Sequence, residues 1–143
     1  MKEQVVKRKI SEERPWMKYY DTDFAGMQAP KCKIYNYMID VNRKQMDSTA
    51  INYYGAKITY RQLIANIDEA ANAFAAMGVK QGDTVSFLSV AVPESIAAVY
   101  ALNKIGATAN TIDPRLDVDN ISRMIQESSS KILMTIDVAW PNV

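Results

Sequence analysis

Apolar positions change rhythm several times along the chain, and each change marks an element. Ile34, Met38, Val41 and Gln45 recur at helical spacing with Tyr37 beside them, which predicts a helix with one apolar stripe from about 33 to 47. In TAINYYGAKITY, β-branched and aromatic residues lie on both sides of Gly55-Ala56, the pattern of a hairpin. The next helix is specified at both ends. Thr59 and Gln62 form a T-x-x-Q capping box, and Ile58 and Leu63 occupy the N′ and N4 positions of a hydrophobic staple. Leu63, Ile67, Ala70, Phe74 and Met77 then repeat on one face, and Gly78-Val79 supplies the C′ and C″ residues of a Schellman stop.

Beyond Gly82-Asp83 the periodicity becomes that of alternating strands and helices. TVSFLSV is a mostly apolar run too short for a helix, as expected of a strand buried on both faces, and TANTID and KILMTI read as a second and a third short strand. Between the first two lies ESIAAVYALNKI, opened by Pro93 at the first helical turn, with Ile96, Val99, Leu102 and Ile105 on one side and alanines that permit close approach. Asp117 and Asp119 favour the start of a further helix, whose buried stripe is Ile121, Met124 and Ile125. The expected fold class is therefore α/β: a partial parallel doubly wound layer, β-α-β-α-β, preceded by a leader helix, a β-hairpin and a capped amphipathic helix. Residues 1–30, which mix charges with Trp16, Tyr19, Tyr20 and Phe24, read as a leader arm whose aromatics dock on the domain, and the run Lys7 to Lys9 reads as a solvated segment. The domain proper is expected over 31–143, and its sheet looks unfinished where the chain stops at AWPNV.

Composition removes whole classes of chemistry. A length of 143 residues suits one ordinary domain, and 17 Lys and Arg against 16 Asp and Glu leave a net charge of +1, so no long-range field points to nucleic acid or an anionic membrane. The absence of histidine excludes Ser-His-Asp and Cys-His triads and H-E-x-x-H zinc sites within the chain. Cys32, the sole cysteine, cannot form an internal disulfide and has no histidine to activate it. No apolar run approaches the roughly 20 residues needed to cross a bilayer, and the charged N-terminus lacks a signal-peptide core, so a soluble cytoplasmic protein is expected.

Phosphate chemistry needs backbone N–H groups exposed in a Gly-rich turn that opens a helix. The five glycines match neither G-x-G-x-x-G nor G-x-x-x-x-G-K-[ST]. Gly78 and Gly82 flank Lys80 but precede a strand, and Gly106 lies at a helix C-terminus, whose dipole end is negative, so all three read as turn and stop residues. Asp113 sits at the carboxyl end of the second strand, the edge where open α/β sheets place ligands, and reads first as a turn or capping carboxylate before Pro114. Tyr35, Tyr37, Tyr53, Tyr54, Tyr60 and Tyr100 read as packed rings with hydroxyls reaching water, and the formal glycosylation triplet at Asn120 falls inside a helix.

The order of these pieces resembles the adenylate-forming enzymes, in particular the AMP-forming acyl-CoA synthetases. The resemblance is carried by KITYRQLIANIDEAANAFAAMGVKQGDTVSFLSVAVPESIAAVYALNKIGATANTIDPR, positions 57–115, with its (L/I)TY-x-(E/Q)L helix start, GV-x-x-GD-x-V, P-E helix, GA and Asp-Pro exit. ERPWMKYYD at 13–21 and the helix at KIYNYM are similar to the start of long-chain fatty acyl-CoA ligases. Lys33 and Val92 depart from the pattern, standing where a capping side chain is common.

The resemblance implies an enzyme in which a carboxylate attacks ATP to give an acyl-adenylate and pyrophosphate, followed by acyl transfer to coenzyme A, with Mg2+ offsetting phosphate charge. The family's phosphate loop, adenine-binding stretch, ribose-binding aspartate and adenylation lysine lie downstream of the matched region. No position here is therefore assigned a catalytic, cofactor-binding or metal-binding role, and the chain is expected to be an inactive N-terminal fragment that binds no cofactor itself. Rival readings are a small α/β ligand-binding module without catalysis, and an oligomerisation module that self-associates through its exposed sheet edge.

Overall fold

The computed structural model describes residues 9–20 and 27–137, so Lys7, Phe24, Gly26 and the AWPNV terminus lie outside the described residues. Two compact units divide the chain, residues 1–31 and residues 32–143. In the first, helix α1 (Ile10–Glu13) ends at Arg14, whose φ of 44° turns the backbone into a 3₁₀ segment, Pro15–Tyr19. Lys18 Nζ stands 4.9 Å from the centre of the Tyr19 ring.

The second unit opens with α2 (Ile34–Asn42), shorter than the sequence predicts. It buries Tyr35 and Met38, while Ile34, Tyr37 and Val41 are exposed, so the expected stripe is rotated by about one residue. Polar anchors set that rotation. The Tyr35 amide donates to Asn103 Oδ1 at 3.0 Å, and its hydroxyl donates to Asp68 Oδ1 at 3.0 Å, bonds that a face centred on Ile34 would forgo. The Tyr35 hydroxyl therefore meets a carboxylate where the sequence suggested water. Lys33 caps nothing at the start of α2; its Nζ donates to the Lys104 carbonyl at 2.7 Å instead.

Strands β1 (Thr49–Tyr53) and β2 (Ala56–Thr59) form the antiparallel hairpin. Its two-residue turn is Tyr54-Gly55, one position earlier than the sequence suggests, and φ values of 49° and 93° at these residues give the primed turn that matches strand twist. Helix α3 (Tyr60–Ala76) follows with its N-terminal signature intact: Thr59 Oγ1 accepts the Gln62 amide at 3.2 Å, and Gln62 Oε1 accepts the Thr59 amide at 2.9 Å. At its end, the Val79 amide donates to the Phe74 carbonyl and the Gly78 amide to the Ala75 carbonyl, both at 3.0 Å, completing the Schellman motif. Leu63, Ile67, Ala71 and Phe74 are its buried residues, whereas Met77, expected on that face, is exposed.

The parallel layer comprises β3 (Thr84–Leu88), α4 (Pro93–Ile105), β4 (Thr108–Ile112), α5 (Val118–Glu127) and β5 (Ile132–Thr135). Strand order is β4-β3-β5, and β3 pairs in parallel with both neighbours. Side-chain alternation along β3 feeds two cores. Val85 and Phe87 join the cluster shared with α3 and α4, and Leu88 joins Ile112 and Ile121 under α5. Helices thus cover both faces, the doubly wound arrangement. Helix α4 buries Ala97, Ala98, Ala101 and Leu102, while Ile96, Val99 and Ile105 are only half-buried. The sequence suggested the larger residues as the buried face, but α4 turns its alanines inward because small side chains let it lie close against α3.

Gly106 ends α4 in the left-handed region at φ 84°. Its carbonyl accepts the Gly82 amide at 3.0 Å, and a Cβ added there would stand 3.0 Å from Gln81 Cγ.

Candidate functional site

The exit of β3 leads to α4 on one face of the sheet and the exit of β4 leads to α5 on the other, so the chain parts between their carboxyl ends. Open α/β sheets place ligands at this kind of switch point. A cleft of about 590 Å³ lies there, lined by Ser89, Val90, Ala91 and the run Thr111 to Arg115. An apolar recess of about 400 Å³ adjoins it, sharing Ser89, Val90, Ala91 and Thr111 and adding Phe87, Ile96, Val99 and Tyr100.

Asp113 and Arg115 carry the charge of the cleft wall. Arg115 Nη2 lies 2.6 Å from Asp113 Oδ2, its Nε 2.9 Å from Oδ1, and its backbone amide also donates to Oδ1 at 2.9 Å. The side-chain hydrogen bond from Arg115, reinforced by the backbone one, holds the Asp113 carboxyl at a pKa of about 2. Asp113 therefore serves as the turn carboxylate the sequence suggested, its negative charge paired with Arg115 at the carboxyl end of β4. Arg115 was not singled out by sequence reasoning; the signal available was a cation two residues after a turn aspartate. Ser89 Oγ, at the cleft, and Ser95 Oγ, in the adjoining recess, are 2.7 Å apart on the α4 side.

Among the described residues, neither the start of α4 nor the turn around Lys80 forms a nucleotide phosphate cradle. Helix α4 begins with Val92 as a cap without a side-chain bond, Pro93 removes an N–H, and Glu94 places a carboxylate in the first turn, where a phosphate would need the positive dipole end free. Around Lys80 the backbone amide is already taken by Asp83 Oδ2 at 2.7 Å, which makes Gly78 to Gly82 a stop and turn. Among the described residues no group of three His, Cys, Asp or Glu could hold a metal ion. Cys32 is exposed, and no described helix is long and apolar enough to cross a membrane.

A second polar cluster ties the helices together away from the cleft. Lys104 Nζ donates to Asp68 Oδ1 at 2.6 Å and stands 5.0 Å from the centre of the Tyr35 ring. The Lys104 hydrogen bond lowers the Asp68 pKa, the Asp68 hydrogen bond raises that of Lys104, and burial, followed by the Asp68 bond, raises that of Tyr35. These residues clamp α2 onto α3 and α4.

Comparison with known proteins agrees with this architecture. The model of the AMP-binding enzyme family matches residues 39–142. The chain belongs to that family. The acetyl-coenzyme A synthetase of Shewanella amazonensis is 37% identical over 81 residues, covering 57% of this chain and 12% of the relative. A long-chain-fatty-acid–CoA ligase of Bacillus subtilis is 20% identical over 133 residues, covering 92% of this chain and 24% of the relative. Among solved structures, the Mycobacterium tuberculosis fatty acyl CoA synthetase superposes with a TM-score of 0.70 at 25% identity, over 76% of this chain and 22% of that one. The chain spans a quarter or less of the length of these relatives.

Proposed function

We propose that the chain is the N-terminal part of an ATP-dependent acyl-CoA synthetase that activates a fatty acid as its acyl-adenylate and transfers it to coenzyme A. In this reading residues 31–143 are the N-terminal portion of the large AMP-binding domain and residues 1–30 its leader. The family match over residues 39–142 carries the proposal. A fatty acid is favoured over acetate because the long-chain ligase aligns over 92% of the chain, the acetyl-CoA synthetase over 57%. ATP, Mg2+ and coenzyme A would serve the full-length enzyme in the cytoplasm, while these residues shape one wall of the switch-point cleft.

The chain alone is inactive in this reading. Its support is chemical: the chain has no histidine, and among the described residues no glycine-rich turn opens a helix as a cradle for a triphosphate. Two measurements test it. Incubated with ATP, Mg2+, palmitate and coenzyme A, the chain should release no pyrophosphate above blank, and calorimetric titration with ATP, AMP or coenzyme A should give no heat of tight binding. Grafted in place of the aligned stretch of the Bacillus subtilis ligase, it should support palmitate activation. Turnover by the chain alone would overturn the inactivity, and a folded but inactive graft would overturn the functional assignment.

Self-association is a second property of this reading. Among the described residues, strands β4 and β5 each pair on one side only, and unpaired parallel edges invite strand addition. Light scattering at high concentration should show dimers, which Lys substituted at Thr135 on the β5 edge disperses; a strict monomer counts against it.

A further inference from the structure

Three aromatic side chains stand exposed within one five-residue stretch of the leader. Trp16, Tyr19 and Tyr20 are 43%, 79% and 56% exposed, and neither α1 nor the 3₁₀ segment has a buried residue. Their placement is regular. The segment Pro15–Tyr19 turns once every three residues, so Trp16 and Tyr19 share one of its faces. Large apolar groups gathered in this way on a surface mark an interaction site.

Charge selects the partner. From Lys2 to Lys18 six cations stand against three glutamates, an excess that the balance of +1 over all 143 residues conceals. Lys9, Arg14 and Lys18 are exposed in the same stretch as the aromatics, and Lys18 Nζ already lies 4.9 Å from the centre of the Tyr19 ring. Tryptophan and tyrosine beside lysine and arginine suit a lipid–water interface: the rings sit at headgroup depth, while the alkyl stems cover apolar surface and the cationic ends reach phosphate. A second copy of the leader would set its net positive charge against the same charge, which disfavours a leader-to-leader contact.

We propose that the leader is a peripheral anchor, centred on Trp16 and Tyr19, for the surface of a bilayer that carries anionic phospholipids. Trp16 and Tyr19 enter the headgroup layer, and Lys9, Arg14 and Lys18 pair with lipid phosphates around them. Attachment is to one leaflet, since no described helix is long and apolar enough to cross a membrane. A single patch of this size binds reversibly. The proposal stands apart from the synthetase reading, which gives the leader no task.

The test is sedimentation of the full chain with vesicles of phosphatidylcholine alone or with one-third phosphatidylglycerol. Binding to the mixed vesicles should be at least tenfold tighter. That difference should vanish when salt rises from about 0.01 M to about 1 M, where the screening length falls from about 30 Å to about 3 Å. Trp16→Ser with Tyr19→Ser, and separately Lys9→Glu with Lys18→Glu, should each weaken binding at least tenfold. Tyr54→Ser, which removes a 95% exposed ring from the hairpin, should leave it unchanged. With Trp140→Phe, Trp16 is the sole tryptophan, and its emission should shift to the blue on mixed vesicles. Circular dichroism of each variant establishes that the chain still folds. No binding, equal binding to both vesicles, a loss in Tyr54→Ser as large as in the leader variants, or an unchanged Trp16 emission overturns the proposal. So does self-association that needs Trp16 and Tyr19 without vesicle binding, which would make a second copy the partner.

Discussion

Gly106, two residues before β4, and Asp113, immediately after it, show how single residues at the two ends of one strand are fixed by different constraints. At Gly106 the constraint is backbone: φ 84° is costly for any residue with a Cβ, and the added atom would meet Gln81 at 3.0 Å. Gly106→Ala should lower unfolding free energy by about 1–2 kcal/mol, measured by urea titration. Because the Gln81 side chain can swing away, the backbone term dominates. Electrostatics fixes Asp113. Its folded pKa of about 2 lies below the unfolded value of about 4, so its contribution to stability is present above pH 4 and is lost as pH falls through 2. Carboxyl-carbon NMR should show Asp113 titrating near pH 2 in the native chain and higher in Arg115→Ala, yet still below the ordinary value, because the Arg115 backbone amide keeps its bond to Asp113. Titration near pH 4 in both would remove the ion pair from the account of the cleft.

At the scale of elements, legibility followed the locality of the signal. Helix α3 was readable at both ends because its cap, staple and stop each involve residues within five positions of one another. Strands β3, β4 and β5 were readable from apolar runs bounded by turn residues. Faces were harder. The buried side of α2 depends on Asn103 and Asp68, more than thirty residues away, and the buried side of α4 depends on how close α3 must come; neither is encoded in the helix's own periodicity. The serine triplet also carried more structure than its composition suggested. Ser130 Oγ accepts the Ser86 amide at 2.8 Å, and Asn110 Nδ2 donates to Ser86 Oγ at 3.0 Å and to Ser128 Oγ at 3.1 Å, so one polar knot joins β3, β4 and the end of α5 beneath a fully buried Ser86. Asn110→Ala should cost about 1–3 kcal/mol, because it strands the buried Ser86 hydroxyl. Adding Ser86→Ala should restore part of that loss, and strictly additive costs in denaturant titrations would argue against the knot. The cleft itself was legible only as an edge: Asp113 was placed there by strand order, while Arg115 and Ser89 reach it through turn geometry that spacing does not reveal.

For the 32–143 unit as a whole, the two faces of the sheet are unequally filled. The α3–α4 side buries thirteen residues in one cluster, from Tyr35 to Leu102, whereas the α5 side buries Leu88, Ile112 and Ile121. Local opening draws on the apolar contacts an element would lose, so α5 and β5 should open at lower free energy than α3 and β3. Helix α5 is held by its Asp117 cap, whose Oδ1 accepts the Asn120 amide at 2.9 Å, and by the polar knot at its other end, but little apolar area lies between. Native-state hydrogen exchange should therefore find the amides of α5 and β5 exchanging through a sub-global opening, with those of α3 and β3 protected up to global unfolding.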